Sequence, residues 1–478
     1  MGRYTMNPQR RIDDMRRVQR PQVPTNRPLV RPAPIAPIAP RPPLGAPTRP
    51  VAARQAMLPP SPTYGAPRLE PPHHNRRWLI IALVLLALVI LAGAAWFAFG
   101  RKKTPAVSKT NATGAVTAIN SPDTIHLLAT GDFIAHDSVN AAAAQAGGGY
   151  NYLPLMSDFL PILKKADIRF CNDPILNGGK QFGIAGYPKF NSPTEFVTDM
   201  GKLGCNVVNT ASNHSFDFTQ ETITASVQAW AGVPNMLAVA GENQSQAQHD
   251  TVHYFTVKGV KFAFLAYTTY SNNDSPVANQ YGVNIFSESF AKSQIDAAKQ
   301  NGAQFIIASM RWGTEYSTTV NAEQKADAQF LANQGVSLVL GHGSHELQSV
   351  QELTGTGGNK ATVWYSLGNF INTQEPPETL FNGLANITIN TKTKQIASMN
   401  YLPIYMHYEW TAAQAAADAT SSRNHVHVYL LENTVQAMVD AQQLKTTIPA
   451  QKQRLSSTLN ANGLTIPLIT SKEYLAQN

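Results

Sequence analysis

The chain has 478 residues and a net charge of +8, and its length exceeds that of one ordinary domain. The positive charge is concentrated near one end, because residues 1–77 contain 14 Arg against three acidic residues, and Arg101, Lys102 and Lys103 follow. Subtracting both groups leaves a net charge of −6 for the rest of the chain. The composition therefore excludes a basic, nucleic-acid-binding folded domain, and no specific nucleic-acid partner is expected.

Three segments precede the folded part of the chain. Residues 1–77 are rich in Pro and Arg and cannot bury an apolar core, which predicts a disordered tail with polyproline II character. Residues 78–99 form an uncharged apolar run that is long enough to cross about 30 Å of hydrocarbon as a helix. We expect one transmembrane helix there, followed by a flexible linker at residues 100–122.

Strands and helices alternate in the first half of the folded part, and hairpins accumulate in the second. This order favours a mixed, layered α/β fold. Strands are expected at Thr124–Thr130, Ile168–Cys171, Val207–Thr210, Tyr254–Val257, Lys261–Tyr267, Phe305–Met310, Ser337–Leu340, Leu347–Leu353, Ala361–Tyr365, Leu384–Asn390 and Gln395–Leu402. Helices are expected at Gln220–Ala231, Phe290–Gln300, Ala322–Asn333, Thr434–Gln443 and Gln451–Leu459.

The chain contains two cysteines, Cys171 and Cys205. Two are too few for the disulfide framework of a small secreted protein. We expect two buried thiols, with one disulfide bond as the alternative if the domain is extracellular.

Polar residues follow several of the predicted strands. After the third strand come an amide, an imidazole and a carboxylate, provided by Asn213, His214 and Asp217. Amide and carboxylate oxygens and neutral histidine are common metal ligands, and histidine also transfers protons. Since α/β proteins place their sites at the carboxyl ends of strands, these groups are expected to meet there. The other polar strand ends are Gly131–Asp132, Asn172–Asp173, Arg311–Tyr316 and Gly341–His345.

Together these strand ends have the composition of a hydrolytic centre with one or two metal ions. Carboxylates would hold the cations, and the metals would polarise a phosphoryl or acyl oxygen and lower the pKa of bound water. Each group alone also has a purely structural explanation, because Gly-Asp after a strand often forms a turn and Asn172-Asp173-Pro174 fits an Asx turn. Both interpretations stay open on the residues alone.

Six sequence blocks occur in a fixed order along the chain. They read TGD (130–132), CND (171–173), SNHSFD (212–217), RWGTEY (311–316), GHGSHELQ (341–348) and YSLGNF (365–370). This order resembles the bacterial capsule-synthesis protein CapA family, whose members take part in poly-γ-glutamate capsule production and are similar in fold to calcineurin-like metallophosphoesterases. The resemblance covers residues 123–405 and implies a four-layer α/β/β/α sandwich with its site between two sheets. Residues 406–478 are expected to form a mostly helical extension.

Three positions depart from the family pattern. Arg311 and Gly343 stand where the family has ligand-type histidines, and Asp173 is one methylene shorter than the family's acid. Glycine has no side-chain ligand, and arginine is always protonated and has no lone pair for a cation. The losses fall on one metal position, so we expect Arg311 to occupy the place of the second metal. The alternative is that both metal positions are lost and Arg311 neutralises buried carboxylates.

The resemblance also implies roles for single residues. A divalent metal, one rather than two, would be held by Asp132, Asp173, Asn213 and His345. His214 would be the catalytic acid supported by Asp217, with Arg311 as an anion clamp. Further substrate contacts are expected from Glu315, His342 and Asn369.

Two main hypotheses about function follow. The first is a single-pass protein of the cell membrane, with a cytoplasmic N-terminus and an extracellular domain, that acts in the synthesis or export of an anionic surface polymer. Its site would be a metal-dependent phosphoesterase-like centre acting on the polymer or on a phosphoester. The second is a non-catalytic scaffold that binds the polymer and recruits other membrane subunits of polymer synthesis. In a third, weaker hypothesis, the N-terminal tail carries out the function.

Overall fold

The computed structural model describes residues 123–274 and 277–477. The predicted tail at 1–77, the predicted transmembrane helix at 78–99 and the predicted linker at 100–122 lie outside these residues. None of the described helices is long and apolar enough to cross a membrane. The predicted location, a single-pass membrane protein with an extracellular domain, is corrected on this finding.

The described chain forms strands and helices that we number in chain order. The strands are β1 Thr124–Phe133, β2 Ile168–Asn172, β3 Val207–Asn209, β4 Ala238–Ala240, β5 His253–Val257, β6 Val260–Thr268, β7 Phe305–Arg311, β8 Leu338–His342, β9 Val350–Thr354, β10 Lys360–Trp364, β11 Asn369–Ile371, β12 Phe381–Asn390, β13 Ile396–Glu409 and β14 Asn424–Leu430. The helices are α1 Asp137–Ala143, α2 Leu160–Leu163, α3 Thr194–Leu203, α4 Gln220–Ala231, α5 Gln246–His249, α6 Glu288–Gln300, α7 Ala322–Asn333, α8 Pro377–Leu380, α9 Ala412–Ala416, α10 Gln436–Ala441, α11 Ile448–Leu459 and α12 Ser471–Gln477. Short 3₁₀ turns lie at Leu153–Phe159, Lys180–Phe182, Val277–Gly282, Thr420–Ser422 and Leu431–Asn433.

The strands form two mixed sheets, as expected for a mixed α/β fold. The first has the order β14-β13-β12-β1-β2-β3-β4, with β11 paired to β1, and its strands β1 to β4 are parallel. The second has the order β5-β6-β7-β8-β10-β9, and its central strands β6, β7, β8 and β10 are parallel. The predicted hairpins are confirmed, since β5 pairs antiparallel with β6 and β12 with β13.

The two sheets share a hydrophobic core. Phe170 on β2 and Phe264 on β6 meet across it with their ring centroids 6.1 Å apart. Successive side chains of β7 alternate between two sides, because Ile307 belongs to this shared core whereas its neighbours Ile306 and Ala308 pack with residues of α6 and α7. Strand β7 is therefore buried on both faces, and the residue at its end, Arg311, is buried as well.

The C-terminal extension adds to the first sheet. The predicted boundary at residue 405 falls inside β13, and β14 pairs with the second half of that strand. The extension is therefore not only helical, although helices α10, α11 and α12 follow β14.

The two cysteines are joined by a disulfide bond. Cys171 lies on β2 and Cys205 just before β3, with their Cα atoms 5.8 Å apart. The expectation of two free thiols is therefore wrong, and the alternative of a single bond is confirmed. The reason is that β2 and β3 are neighbours in the sheet, which brings the two residues together.

Removing this bond is expected to destabilise the protein by about 2 to 4 kcal/mol, because it closes a loop with a sequence separation of 34 residues. The measurement is urea-induced unfolding of the wild-type chain and of the Cys171→Ala/Cys205→Ala double variant. A thiol titration of the unfolded, unreduced protein serves as the control. Two reactive thiols in that titration would contradict the bond.

Candidate functional site

A row of polar residues crosses the carboxyl edge of the first sheet. Asp132, Asn172 and Asn209 end three adjacent parallel strands in direct register. The side-chain amide of Asn209 donates to Asn172 Oδ1 at 2.6 Å, and the amide of Asn172 donates to Asp132 Oδ1 at 2.7 Å. Asp132 is thus fixed by a chain of amides rather than by a second carboxylate.

Two imidazoles of the second sheet face Asp132. His342 Nδ1 lies 3.4 Å from Asp132 Oδ1, and His345 Nδ1 lies 3.3 Å from Asp132 Oδ2. Burial alone would raise the pKa of Asp132, but its contacts with His342 and His345 outweigh burial and hold that pKa well below its ordinary value. Asp132 is therefore an ionised carboxylate that is fully buried.

His345 is held in place from its other side. Its backbone adopts the left-handed conformation with φ of 64°, and its Nδ1 lies 3.0 Å from Asn369 Oδ1. The amide of Asn369 in turn donates to Gln374 Oε1 at 2.8 Å. His345 Nε2 points toward Glu315, with 3.9 Å between this nitrogen and Oε1. The ring orientation is therefore set by Asp132 and Asn369, and Nε2 is directed at the site.

Arg311 places a buried positive charge beside these groups. Its Nε donates to Asn213 Oδ1 at 3.0 Å, and its Nη2 pairs with Glu315 Oε1 at 2.8 Å. Burial would lower the pKa of Arg311, but Tyr270, Glu315 and Asp132 outweigh burial and raise it, so the guanidinium stays charged. Within the described residues, Nη1 has no hydrogen-bond partner.

Gly343 provides the space that this guanidinium fills. A Cβ atom at position 343 would lie 1.9 Å from Arg311 Nη1 and 2.6 Å from the carbonyl oxygen of Trp312. The backbone of Gly343 has a φ of 111°, which side-chain-bearing residues rarely adopt. The two departures from the expected sequence pattern, at positions 311 and 343, therefore depend on each other, because the guanidinium of Arg311 occupies space that only a glycine at position 343 leaves.

The predicted pair of His214 and Asp217 is brought together. His214 Nδ1 lies 2.7 Å from Asp217 Oδ2, which also accepts the backbone N–H of Phe190 at 2.8 Å. Asp217 Oδ1 accepts from the side chain of Asn273 at 2.9 Å. The ring of Phe190 packs edge-on against His214 with centroids 4.7 Å apart, so this imidazole has a fixed orientation and tautomer.

Asp173 directly follows β2, and its carboxylate contacts other groups than those around Asp132. Its Oδ2 accepts from Trp230 Nε1 at 2.9 Å and from the amide of Asn177 at 2.7 Å. Burial raises the pKa of Asp173 to about 7. Successive residues of a strand point to opposite faces, and Asn172 takes the direction toward Asp132. The hydrogen bonds of Asp173 therefore do not bring it together with Asp132 as the predicted metal site requires.

Residues 126–374, more than half of the chain, match the family model described as "Bacterial capsule synthesis protein PGA_cap". The chain belongs to this family.

Two curated relatives carry capsule-synthesis names. The chain is 23% identical over 307 residues to "Capsule biosynthesis protein CapA" of Bacillus anthracis, which covers 62% of this chain and 69% of that protein. It is 26% identical over 230 residues to "PGA biosynthesis protein CapA" of Bacillus subtilis (strain 168), which covers 48% of this chain and 58% of that protein. Both alignments leave part of each relative unmatched.

Solved structures give weaker similarities. A novel phosphatase from Mycoplasma pneumoniae is 13% identical with a TM-score of 0.37, and the match covers 59% of this chain and 94% of that one. The NAD nucleotidase of Haemophilus influenzae is also 13% identical with a TM-score of 0.37, over 70% of this chain and 61% of that one. At these scores the similarities carry no argument about the site.

The side chains of the site do not fit the divalent metal implied by the resemblance. Asp132 Oδ1 accepts from Asn172, Asn213 Oδ1 accepts from Arg311, and His345 Nδ1 contacts Asn369. A buried guanidinium beside these groups would repel a cation. Throughout residues 123–274 and 277–477, no group of three or more His, Cys, Asp or Glu side chains is arranged to hold a metal ion. The predicted ligand set of Asp132, Asp173, Asn213 and His345 is thus not assembled.

Two predicted substrate contacts are buried beneath the site. His342 has no exposed surface and stacks on Phe170 with ring centroids 5.3 Å apart. Asn369 is also buried and orients His345 instead of reaching the surface. The predicted substrate contacts of His342 and Asn369 are therefore corrected to structural roles. Parts of Glu315, His214 and His345 do reach the surface, with 12%, 14% and 9% of their side chains exposed.

Sequence reasoning missed several residues of the site. His136 follows β1 and lies near the other imidazoles, and burial together with the charges of Arg423, His345 and His214 lowers its pKa to about 3. No motif of the sequence marks His136. Asn172 lies in the block CND (171–173). The direction of its side chain, toward Asp132, distinguishes it from Asp173, and the sequence does not show that direction.

Proposed function

We propose that this protein acts in the synthesis of capsule or another anionic surface polymer by binding the polymer at the Arg311 site, without a resident pair of metal ions. The observation that carries the proposal is the buried guanidinium of Arg311, bonded to Asn213 and Glu315 in a space that Gly343 leaves open. Family membership supports the biological process. The fixed guanidinium supplies the positive charge that a metal cation would otherwise provide, and it needs no metal ligands.

The carboxylates around the mouth already have partners, and two imidazoles at the mouth are partly exposed. The carboxylates of Asp132, Asp217 and Glu315 are each already paired with an imidazole or a guanidinium. Nδ1 of His214 and of His345 is also engaged. Nε2 of His214 has only a long contact, 3.5 Å, with the side-chain amide of Asn272, and Nε2 of His345 lies 3.9 Å from Glu315 Oε1, so a ligand oxygen would compete with these two weak contacts. When charged, each ring donates from Nε2 to a carboxylate or phosphate oxygen, a charge-assisted hydrogen bond.

The experiment measures binding of poly-γ-glutamate to the full chain by isothermal titration calorimetry, with neutral dextran as the control polymer. His345→Ala and His214→Ala are each expected to weaken binding about tenfold, because each removes one charge-assisted hydrogen bond. His425→Ala is the matched control, since His425 is 72% exposed and contacts Glu409 outside the site. Equal affinity in all four proteins, or equal binding of dextran, would overturn the proposal.

A modified hydrolase is the second candidate function. The fixed pair of His214 and Asp217 favours it, because an oriented imidazole is suited to protonating a leaving oxygen. Turnover of a phosphoester such as p-nitrophenyl phosphate that is lost in His214→Ala, with polymer binding retained, would favour this candidate. Metal analysis of the purified protein separates the two further, since polymer binding without metals predicts far less than one equivalent per chain.

We also infer that the layers follow the α/β/β/α order expected from the resemblance. Helices α6 and α7 pack on the side of the second sheet that faces away from the shared core, which supports this inference. Association with other subunits of polymer synthesis is part of the same proposal, and co-purification from cells that make the polymer would test it.

A further inference from the structure

A cavity lies between helix α4 and strand β4, away from the Arg311 site. None of its lining residues belongs to that site. Its volume is about 330 Å³, within the range of small-molecule pockets. Val227, Val233, Met236 and Val239 give it an apolar wall, together with Trp230. Three of these side chains, Val227, Met236 and Val239, are only half-buried, so the cavity opens to the surface. The space is suited to the apolar part of a small ligand.

The wall of this cavity contains one buried acid, Glu242, which is only 4% exposed. Its Oε2 accepts from Ser226 Oγ at 2.7 Å, and its backbone N–H donates to Thr210 Oγ1 at 2.8 Å. Its Oε1 is buried and has no hydrogen-bond partner in the described part of the chain. An unsatisfied buried oxygen costs about 1 to 3 kcal/mol, so a ligand that pairs with it gains affinity.

The charges around Glu242 are all of one sign. The lining residues include no Lys, Arg or His, and Asp173 is the other titratable group that faces Glu242. Burial raises the pKa of Glu242 well above its ordinary value and the nearby Asp173 raises it further, whereas the hydroxyl groups of Ser226 and Ser215 oppose this. Burial therefore favours the protonated form of Glu242 in the free protein, and a cationic ligand that pairs with the carboxylate takes the place of that proton.

We propose that this cavity binds an amphiphilic primary amine, with the apolar chain against the valines and Met236 and the ammonium group against Glu242 Oε1. The ammonium replaces the proton of Glu242, so one proton passes from the carboxyl group to the solvent when the ion pair forms. This site is independent of the proposed polymer binding.

The test titrates the full chain with n-hexylammonium chloride, and with 1-hexanol and sodium hexanoate as probes of the same chain length. Binding is followed by calorimetry in two buffers of different ionisation enthalpy, which reports proton release. Hexylammonium is expected to bind with release of about one proton, and to bind more tightly as the pH rises, because Glu242 must lose a proton. Glu242→Gln is expected to weaken its binding at least about tenfold.

A second variant, Val227→Trp, keeps Glu242 and fills the cavity from the half-buried face of α4, and it is also expected to abolish binding. Hexanol binding as tightly as hexylammonium in the wild type and in Glu242→Gln would overturn the assignment of a cation. Absence of binding by hexylammonium to the wild-type chain, or unchanged binding in Val227→Trp, would overturn the site itself.

Discussion

Gly343→Ala is expected to destabilise the protein by about 4 to 7 kcal/mol. A left-handed backbone costs a side-chain-bearing residue about 1 to 2 kcal/mol. The new Cβ would also lie 1.9 Å from Arg311 Nη1 and displace the guanidinium. Breaking a buried ion pair costs about 3 to 5 kcal/mol, because Asp132 and Glu315 then lose their compensating charge. Urea-induced unfolding measures the change.

The chain offers a matched control for this prediction. Gly463 also has a positive φ, 79°, but a Cβ there would meet no atom within 4 Å. Gly463→Ala should therefore cost only the backbone term. The double variant Gly343→Ala/Arg311→Ala tests the coupling, because removing the long side chain relieves the clash with the guanidinium although the one with the carbonyl of Trp312 remains. The double variant should therefore lose less than the sum of the two single losses. Strict additivity would show that the two positions act separately.

Asp173→Asn is expected to stabilise the protein by about 4 kcal/mol at pH 8 and to have little effect at pH 4. The pKa of Asp173 is raised from 3.8 to about 7 by burial. Between these values the unfolded chain loses the proton while the folded chain keeps it, so wild-type stability falls as the pH rises. Above pH 7 the loss is constant, at about 1.4 kcal/mol for each unit of pKa shift.

Urea-induced unfolding at several pH values between 4 and 8 checks this prediction. The amide is a near-isosteric replacement, because the substituted side chain would keep one oxygen for Trp230 and Asn177. Because the charge of Asp173 also raises the pKa of Glu242, part of the gain in Asp173→Asn comes from a less strongly raised pKa of Glu242. Asp274→Asn, a change at an exposed residue, should follow the wild type at every pH. Parallel curves for Asp173→Asn and wild type would contradict the raised pKa.

Periodic segments of the sequence predicted the fold well. The helix at Ala322–Asn333 begins and ends where it was expected, because Asn321 forms a capping box with Gln324. The strands β4 at Ala238–Ala240, β11 at Asn369–Ile371 and β14 at Asn424–Leu430 were missed. The first two have three residues each, too few for an alternating pattern, and only pairing with a neighbour defines them.

The site was predicted in part. The sequence marked Asp132, Asn213, Arg311 and His345, which the structure brings into one connected network. It failed at Asp173, because the choice between two adjacent polar residues depends on which face of the strand each occupies. The function of Gly343 as space for a guanidinium was also out of reach. In the sequence, glycine at position 343 indicates only that a side-chain ligand is absent. The packing in three dimensions is needed to show that the guanidinium of Arg311 occupies the space.

The burial of Arg311 also separates the response of the site to ionic strength into two parts. Dissolved ions screen charges at the surface within about 8 Å in physiological salt, but they screen a buried pair much less. The ion pair between Arg311 and Glu315 should therefore persist in concentrated salt, while contacts between a polymer and the exposed parts of His214 and His345 weaken. The protein would then release a bound polyanion in concentrated salt while the structure of its binding site is preserved. It would bind the polyanion again when the salt is diluted.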